Sequence, residues 1–186
     1  GLPSDAIVAV TAARLVEQKG HCFMMEAMPE ILSKFPHFYW LLLGSGPLET
    51  ELRSQAEGLG VSTHVIFAGM LDSLAEVLAG ADLMVHPSID EPFGIALVEG
   101  MRAGLPIVAS RVGGIPEVIG ECAILVEPSR SDDLAKEIRA MLESKADMVR
   151  IGEACRKRYE SEFTCDRMID CIEQYLTNVM RAVPRG

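Results

Sequence analysis

The chain has 186 residues, of which 49% are hydrophobic and 24% are charged, and its formal net charge is −10. This balance excludes a disordered chain, and the length suits a single domain over residues 1–186 with one sizeable core. The acidic excess argues against nucleic acid as a partner, because that binding depends on lysine and arginine at the phosphates.

Six short apolar runs predict strands near residues 6–12, 38–43, 65–67, 82–86, 106–109 and 123–126. Amphipathic stretches between them predict helices near 20–33, 47–58, with Pro47 in its first turn, 73–79, 94–103 and 116–119. Three further helices are predicted near 131–143, with Ser131 as its N-cap, 147–162 and 166–180. Because the strands are continuously apolar, helices must cover both faces of the sheet. The pattern predicts an α/β fold with a doubly wound, six-stranded parallel sheet of the Rossmann-like type and extra C-terminal helices.

Cysteine and histidine usage argues against a disulfide scaffold and against a zinc site. The five cysteines form no CxxC pair, and the four histidines stand apart from one another. No apolar run reaches the length of about 20 residues that a membrane-spanning helix needs. The beginning of the chain has no basic segment typical of a signal peptide. These features favour a cytoplasmic location.

The residues that follow the predicted strands are the candidates for function, since ligands of doubly wound sheets lie beyond the carboxyl ends of the strands. They include two cations, several glycines, a methionine and two carboxylates, namely Arg14, Lys19, Gly44, Gly46, Gly69, Met70, Glu91, Gly94 and Glu99. The glycines allow a close approach of backbone to ligand. Backbone N–H groups at the start of the fourth helix, together with the two cations, favour a phosphate. The two carboxylates are eight positions apart, so they could bind hydroxyls at opposite ends of one molecule.

Each of these features also has an ordinary structural explanation. Arg14 alone could be a surface cation, and Gly44-Ser-Gly46 could be a tight turn, since it lacks the GxGxxG pattern of dinucleotide-binding folds. Glu91 could complement a helix dipole, and Glu99 could be a solvated helix residue. The functional interpretation is favoured because all of them fall on one edge of one sheet.

The segment Glu91-Pro-Phe-Gly-Ile-Ala-Leu-Val-Glu99 resembles the E-x7-E region of retaining glycosyltransferases with the GT-B fold, of the family-4 type. Ala13-Arg14-Leu15 with Lys19-Gly20 is similar to that family's GRL…KG element, although Ala13 stands where the family often has glycine. Leu43 to Pro47 resembles its G-x-G-P turn. Two more segments, Val65–Gly69 and Ala81–Ser88, match in order and spacing, so the resemblance runs from about Val8 to Val126.

The resemblance implies a domain that binds the nucleotide-diphosphate sugar donor. Matching positions assign the donor diphosphate to Arg14, Lys19 and the backbone of Ala96 and Leu97. They assign the transferred sugar to Glu91, the catalytic candidate, and to Phe93, Gly94 and Ile95. They assign the nucleoside to Gly44, Gly69, Met70 and Glu99. No metal and no cofactor would be required, and transfer would retain the anomeric configuration.

The resemblance further implies that residues 1–186 form only the C-terminal half of a longer enzyme. An acceptor-binding domain would precede Gly1, and the chain alone would transfer little sugar to a glycan or lipid-linked acceptor in polysaccharide biosynthesis. Peripheral membrane association would concern the longer enzyme only. Two alternatives stay open: a nucleotide-sugar-binding module without catalysis, and a different GT-B enzyme such as a nucleotide-sugar epimerase or a phosphorylase-like protein.

Overall fold

The computed structural model describes residues 1–71 and 73–182. Six strands form one sheet in the order β3-β2-β1-β4-β5-β6, and every neighbouring pair is parallel. The strands are β1 Ile7–Ala12, β2 Phe38–Leu43, β3 Val65–Gly69, β4 Leu83–His86, β5 Ile107–Ser110 and β6 Ile124–Val126. This is the strand order of a doubly wound sheet, which reverses between β1 and β4. The predicted α/β fold with a six-stranded parallel sheet is confirmed.

Eight α-helices accompany the sheet in the described part of the chain. They are α1 His21–Lys34, α2 Glu49–Gly58, α3 Leu74–Ala79, α4 Ile95–Ala103, α5 Ile115–Ile119, α6 Ser131–Glu143, α7 Lys145–Glu162 and α8 Cys165–Ala182. Helix α1 packs against α2 and α6, whereas α4 packs against α3, α5 and α7. The central strands β4 and β5 are buried along their whole length, as their continuous apolar sequence predicts.

A chain of two buried hydrogen bonds joins the three neighbouring strands β2, β1 and β4. The Trp40 indole on β2 donates to Thr11 Oγ1 on β1 at 2.9 Å. The Thr11 hydroxyl in turn donates to the backbone carbonyl of Val85 on β4 at 2.7 Å. Because buried polar groups are costly without partners, this chain fixes β1 and β4 relative to each other. The loops that leave these two strands carry Lys19 and Glu91.

Two helix starts and one N-cap differ from the sequence prediction. Helix α2 begins at Glu49, so Pro47 precedes the helix and does not lie in its first turn. Helix α6 begins at Ser131 itself, where the side chain forms no cap, and Asp132 and Asp133 supply negative charge to its first turn. Helix α7 begins two residues earlier than predicted, because the Ser144 hydroxyl caps it by accepting from the Asp147 N–H at 3.2 Å.

Helix α8 leaves most of its apolar side chains in contact with solvent. Exposed residues recur on it at helical spacing: Met168, Ile169, Ile172, Tyr175, Leu176, Val179 and Met180. Such a continuous exposed stripe is unusual for a monomeric soluble domain. Among residues 1–71 and 73–182, no helix combines the length and the apolarity needed to cross a bilayer.

Candidate functional site

Two adjoining cavities open at the carboxyl edge of the sheet. One, of about 310 Å³, is lined by the Lys19, His86 and Glu91 side chains and by the loop that precedes α4. The other, of about 230 Å³, is lined by Gly44, Gly69, Met70, Leu71 and Glu99. Ala12, at the end of β1, and Ala96, in the first turn of α4, line both cavities. We call them the Glu91 cavity and the Glu99 cavity. The two carboxylates of the motif thus line two different cavities that share part of their walls, and we call the pair of cavities the cleft.

The Glu91 carboxylate is held by two nitrogen donors that meet on one of its oxygens. Lys19 Nζ lies 2.5 Å from Glu91 Oε2, and His86 Nε2 lies 2.9 Å from the same atom. Ser88 Oγ lies 3.1 Å from His86 Nε2. Glu91 is only 8% exposed and His86 only 2%. A buried carboxylate with this many donors is fixed in one orientation.

These contacts keep Glu91 ionised. The hydrogen bond from His86 is the largest cause that lowers the pKa of the Glu91 carboxyl from 4.5 to about 2, against an opposing effect of burial. The hydrogen bond from Lys19 lowers the pKa further. A carboxylate that stays negative at neutral pH accepts hydrogen bonds only, which suits a ligand with hydroxyl groups.

Two glycines bring the loop after β5 against the backbone of Glu91. A Cβ at Gly113, whose φ is +49°, would lie 2.1 Å from the Glu91 carbonyl oxygen. A Cβ at Gly114 would lie 2.2 Å from the carbonyl oxygen of Pro92. The Gly114 N–H donates to the Glu91 carbonyl at 3.0 Å. The segment that carries Glu91 therefore rests on a neighbouring loop that only glycine permits.

The Glu99 carboxylate has a different environment. It lies on α4, one turn beyond Ala96, and lines the second cavity. Burial raises the pKa of the Glu99 carboxyl above its usual value, while Arg102 opposes this by lowering it. Because the residue as a whole is exposed, screening by solvent keeps the effect small. The acceptor oxygens of Glu99 are therefore available to a ligand in the Glu99 cavity.

Most of the remaining predicted residues line one of the two cavities. Gly44, Gly69 and Met70 line the Glu99 cavity, and Phe93, Gly94, Ile95 and Ala96 line the Glu91 cavity. The Leu97 N–H donates to the Gly94 carbonyl at 2.9 Å, so Ala96 offers the better-placed backbone donor for a phosphate. Arg14 is exposed on the loop after β1 and is not one of the described residues that line either cavity.

The glycines of the turn after β2 have a structural role beside the one predicted for them. A Cβ at Gly44 would lie 2.1 Å from the Ala13 carbonyl oxygen, and one at Gly46 would lie 2.3 Å from that of Leu15. The Gly44-Ser-Gly46 turn thus packs directly on the Arg14 loop. The close backbone approach that these glycines allow is between two loops of the protein.

Sequence reasoning missed His86. Its place at the end of β4, five residues before Glu91, is the signal that could have identified it. The buried side chain points to the same cavity as Glu91, because it contacts the Glu91 carboxylate directly.

A cavity larger than either of these two lies at the other edge of the sheet. Its volume is about 480 Å³, and it is lined by residues near the starts of β1, β4 and β5, among them Ile7, Asp82 and Pro106. It contains none of the predicted site residues, so we place the site by its chemistry and not by cavity size. Across the described ranges, no group of three or more histidine, cysteine, aspartate or glutamate residues could hold a metal ion.

Comparison with known proteins identifies the family to which the chain belongs. Residues 1–158 match the family described as "Glycosyl transferases group 1". The chain belongs to the group 1 glycosyltransferases. The E-x7-E resemblance of the sequence is thereby confirmed at the level of the family.

Curated proteins that are at least 30% identical to this chain include the following two. The N-acetyl-alpha-D-glucosaminyl L-malate synthase of Bacillus anthracis is 33% identical over 148 residues, which cover 78% of this chain and 39% of the relative. The GDP-mannose-dependent monoacylated alpha-(1-6)-phosphatidylinositol monomannoside mannosyltransferase of Corynebacterium glutamicum is 30% identical over 195 residues, which cover 100% of this chain and 50% of the relative. The chain thus spans half, or less, of the length of these two relatives.

Solved structures show the same fold. The crystal structure of Anabaena HepE in complex with UDP superposes with a TM-score of 0.87 at 26% identity, covering 94% of this chain and 50% of HepE. The same protein has also been crystallised in complex with UDP-glucose. The six-stranded domain is thus one Rossmann-like unit of the GT-B type.

Proposed function

We propose that this domain binds the nucleotide-diphosphate sugar donor of a retaining glycosyltransferase. The observation that carries the proposal is the cleft itself, in which the Glu91 and Glu99 cavities meet at Ala12 and Ala96. A sugar nucleotide has hydroxyl-bearing rings at both ends and a charged diphosphate between them. The cleft has a carboxylate at each end and a helix N-terminus in between.

The two cavities differ in the ligand group that each suits. The Glu99 cavity is lined mainly by glycines and apolar side chains, which is suitable for a flat base, and Glu99 can accept from ribose hydroxyls. The Glu91 cavity presents an ionised carboxylate to the hydroxyls of the transferred sugar. The diphosphate would cross the N-terminus of α4 at Ala96, where free N–H groups and the helix dipole favour an anion.

Lys19 would serve both the sugar and the diphosphate. Its ammonium has three donor hydrogens, and Glu91 Oε2 takes one of them. The remaining donors are available to a phosphate oxygen at the mouth of the cavity. The exposed Arg14 would add a second cation when a ligand is bound. We propose that these cations and the α4 terminus stabilise the departing diphosphate without a metal or a cofactor.

Transfer itself would require a longer protein. The relatives that this chain matches are about twice its length or more, and we propose that their additional part corresponds to an acceptor-binding domain. The exposed apolar stripe of α8 is a surface that further chain could cover. We therefore expect residues 1–186 to fold and to bind a donor but to transfer sugar at a negligible rate. Transfer by this chain alone at a rate typical of enzymes would contradict that expectation.

The proposal is tested by the thermal stability of the chain in the presence of nucleotides. UDP, UDP-glucose, GDP and GDP-mannose are suitable probes, since relatives bind or are named for them. A ligand at 100 times its Kd stabilises the folded state by about 2.7 kcal/mol, which should raise the Tm by about 5–10 °C. Absence of any shift with all four probes at millimolar concentration would contradict the proposal.

Charge substitutions sharpen this test. Arg14→Ala and Lys19→Ala should each weaken the binding of a nucleoside diphosphate by roughly 1.5–3 kcal/mol while leaving the nucleoside little affected. Lys136→Ala is the matched control, because this exposed lysine lies on α6 outside the cleft. Equal losses for nucleoside and nucleoside diphosphate would contradict the diphosphate role.

A further inference from the structure

We propose that His86 is a positioning residue, which orients the Glu91 carboxylate so that its second oxygen faces the sugar of the donor. This inference rests on the proposed function, since it concerns how the same cleft recognises the sugar. The geometry that suggests it is the convergence of His86 Nε2 and Lys19 Nζ on Glu91 Oε2.

The ionised carboxylate fixes the tautomer of His86. A carboxylate can only accept, so the 2.9 Å contact requires a proton on His86 Nε2. His86 Nδ1 is buried and has no hydrogen-bond partner among the described residues. A second proton there would be a buried donor without an acceptor, which is costly. The ring therefore presents its Nε2–H to Glu91.

The same geometry separates the two oxygens of Glu91. Oε2 receives both nitrogen donors, whereas Oε1 has no hydrogen-bond partner within the described part of the chain. Because Glu91 lines its cavity, Oε1 is the oxygen left for a ligand hydroxyl. His86 is the more rigid of the two anchors, since it is buried on β4, whereas Lys19 reaches Glu91 through a flexible and partly exposed side chain. Loss of the histidine donor should therefore let the carboxylate rotate.

Two substitutions separate positioning from packing. The side-chain amide of glutamine can place a donor near the position of Nε2, whereas asparagine is too short to reach Glu91. His86→Gln should therefore keep the orientation of the carboxylate, and His86→Asn should lose it. Ser88→Ala is a milder control that removes the second neighbour of Nε2 and leaves the histidine in place.

The experiment measures Kd for a nucleotide sugar and for its nucleoside diphosphate, using UDP-glucose and UDP, and GDP-mannose and GDP. In His86→Asn, the affinity for the nucleotide sugar should fall about tenfold relative to that for the diphosphate. In His86→Gln and Ser88→Ala the ratio should stay near that of the wild type. If His86 merely supported the fold, His86→Asn would weaken the binding of both ligands by the same factor. An unchanged ratio of the two affinities in His86→Asn would therefore overturn the proposal.

A second measurement tests the positioning role of His86 without a ligand. It is needed if no probe binds the wild-type chain, a result that would contradict the proposed function. The carboxyl ¹³C signal of Glu91 is followed against pH, with Lys19, His86 and the nearby His21 as the other titratable groups around it. The pKa of the Glu91 carboxyl should rise toward its ordinary value in His86→Asn and stay low in His86→Gln. Identical titrations in wild type and His86→Asn would overturn the positioning role, whatever the ligand.

Discussion

The two carboxylates of the E-x7-E segment lie eight residues apart and have opposite electrostatic environments. Glu91 is buried, receives two nitrogen donors on one oxygen, and has its pKa lowered to about 2. Glu99 lies on the exposed side of α4, and desolvation raises the pKa of its carboxyl. The protein therefore fixes the Glu91 carboxylate before a ligand binds, whereas the Glu99 carboxylate would receive its hydrogen-bond donors from the ligand.

This difference indicates different tasks. A group held in one orientation contributes to selectivity, because its partner must fit the position that the protein has chosen. A group whose acceptors face a cavity contributes to affinity for any ligand that supplies hydroxyls there. We interpret Glu91 as the carboxylate that discriminates the sugar and Glu99 as the one that retains the nucleoside.

The largest expected effect comes from disturbing the support of Glu91. Gly113→Ala would place a Cβ 2.1 Å from the Glu91 carbonyl oxygen at a left-handed φ of +49°. Relief requires the backbone of Glu91 to move, so we expect a loss of stability of roughly 2–4 kcal/mol. Chemical denaturation measures this. Gly58→Ala is the matched control, since its Cβ would meet no atom within 4 Å other than its chain neighbours and the backbone of its own helix, and it should be neutral or stabilising.

The pH dependence of stability should separate the two carboxylates by sign. The folded-state pKa of Glu91 is lowered from 4.5 to about 2, so its ionised form stabilises the fold above pH 4.5 and loses this effect as the pH falls toward 2. Glu91→Gln should therefore cost about 1.5–3 kcal/mol at pH 7, with the difference from the wild type shrinking between pH 4.5 and 2.

Glu99→Gln should behave in the opposite way and more weakly. The raised pKa of Glu99 means that its ionised form opposes folding above about pH 4.5, so the variant should be slightly more stable than the wild type at pH 7. The difference should vanish at low pH. Denaturation of both variants from pH 2 to 7 measures these trends, and a Glu99→Gln chain that loses stability at neutral pH would contradict the comparison.

The smallest expected effect concerns the ribose. If Glu99 accepts from both ribose hydroxyls, Glu99→Gln should weaken a ribonucleotide by about 1 kcal/mol and the 2′-deoxy nucleotide by less. Calorimetric titration of wild type and variant with UDP and 2′-deoxy-UDP gives the four values required. Equal losses for the two ligands would exclude contact with the 2′-hydroxyl.

The sequence predicted the fold better than it predicted the contacts of the site. A continuous apolar run such as Phe38–Leu43 predicts a buried strand without knowledge of its neighbours, and the predicted strand agrees with β2. The predicted bounds of α6 agree with Ser131–Glu143, but the predicted cap is wrong, because Arg130 and not Ser131 occupies the N-cap position. His86 was not predicted as a site residue, because its hydrogen bond with Glu91 depends on the path of the loop that follows β4.

The central claim is most directly tested by comparing Glu91→Gln with Glu99→Gln in calorimetric titrations. Each is titrated with the nucleotide sugar that stabilises the wild type most and with the corresponding nucleoside diphosphate. We predict that Glu91→Gln lowers the affinity for the nucleotide sugar about tenfold or more relative to the diphosphate. Glu99→Gln should weaken both ligands by the same factor. If the two variants change the ratio of the affinities in the same way, the assignment of sugar to Glu91 and nucleoside to Glu99 is contradicted.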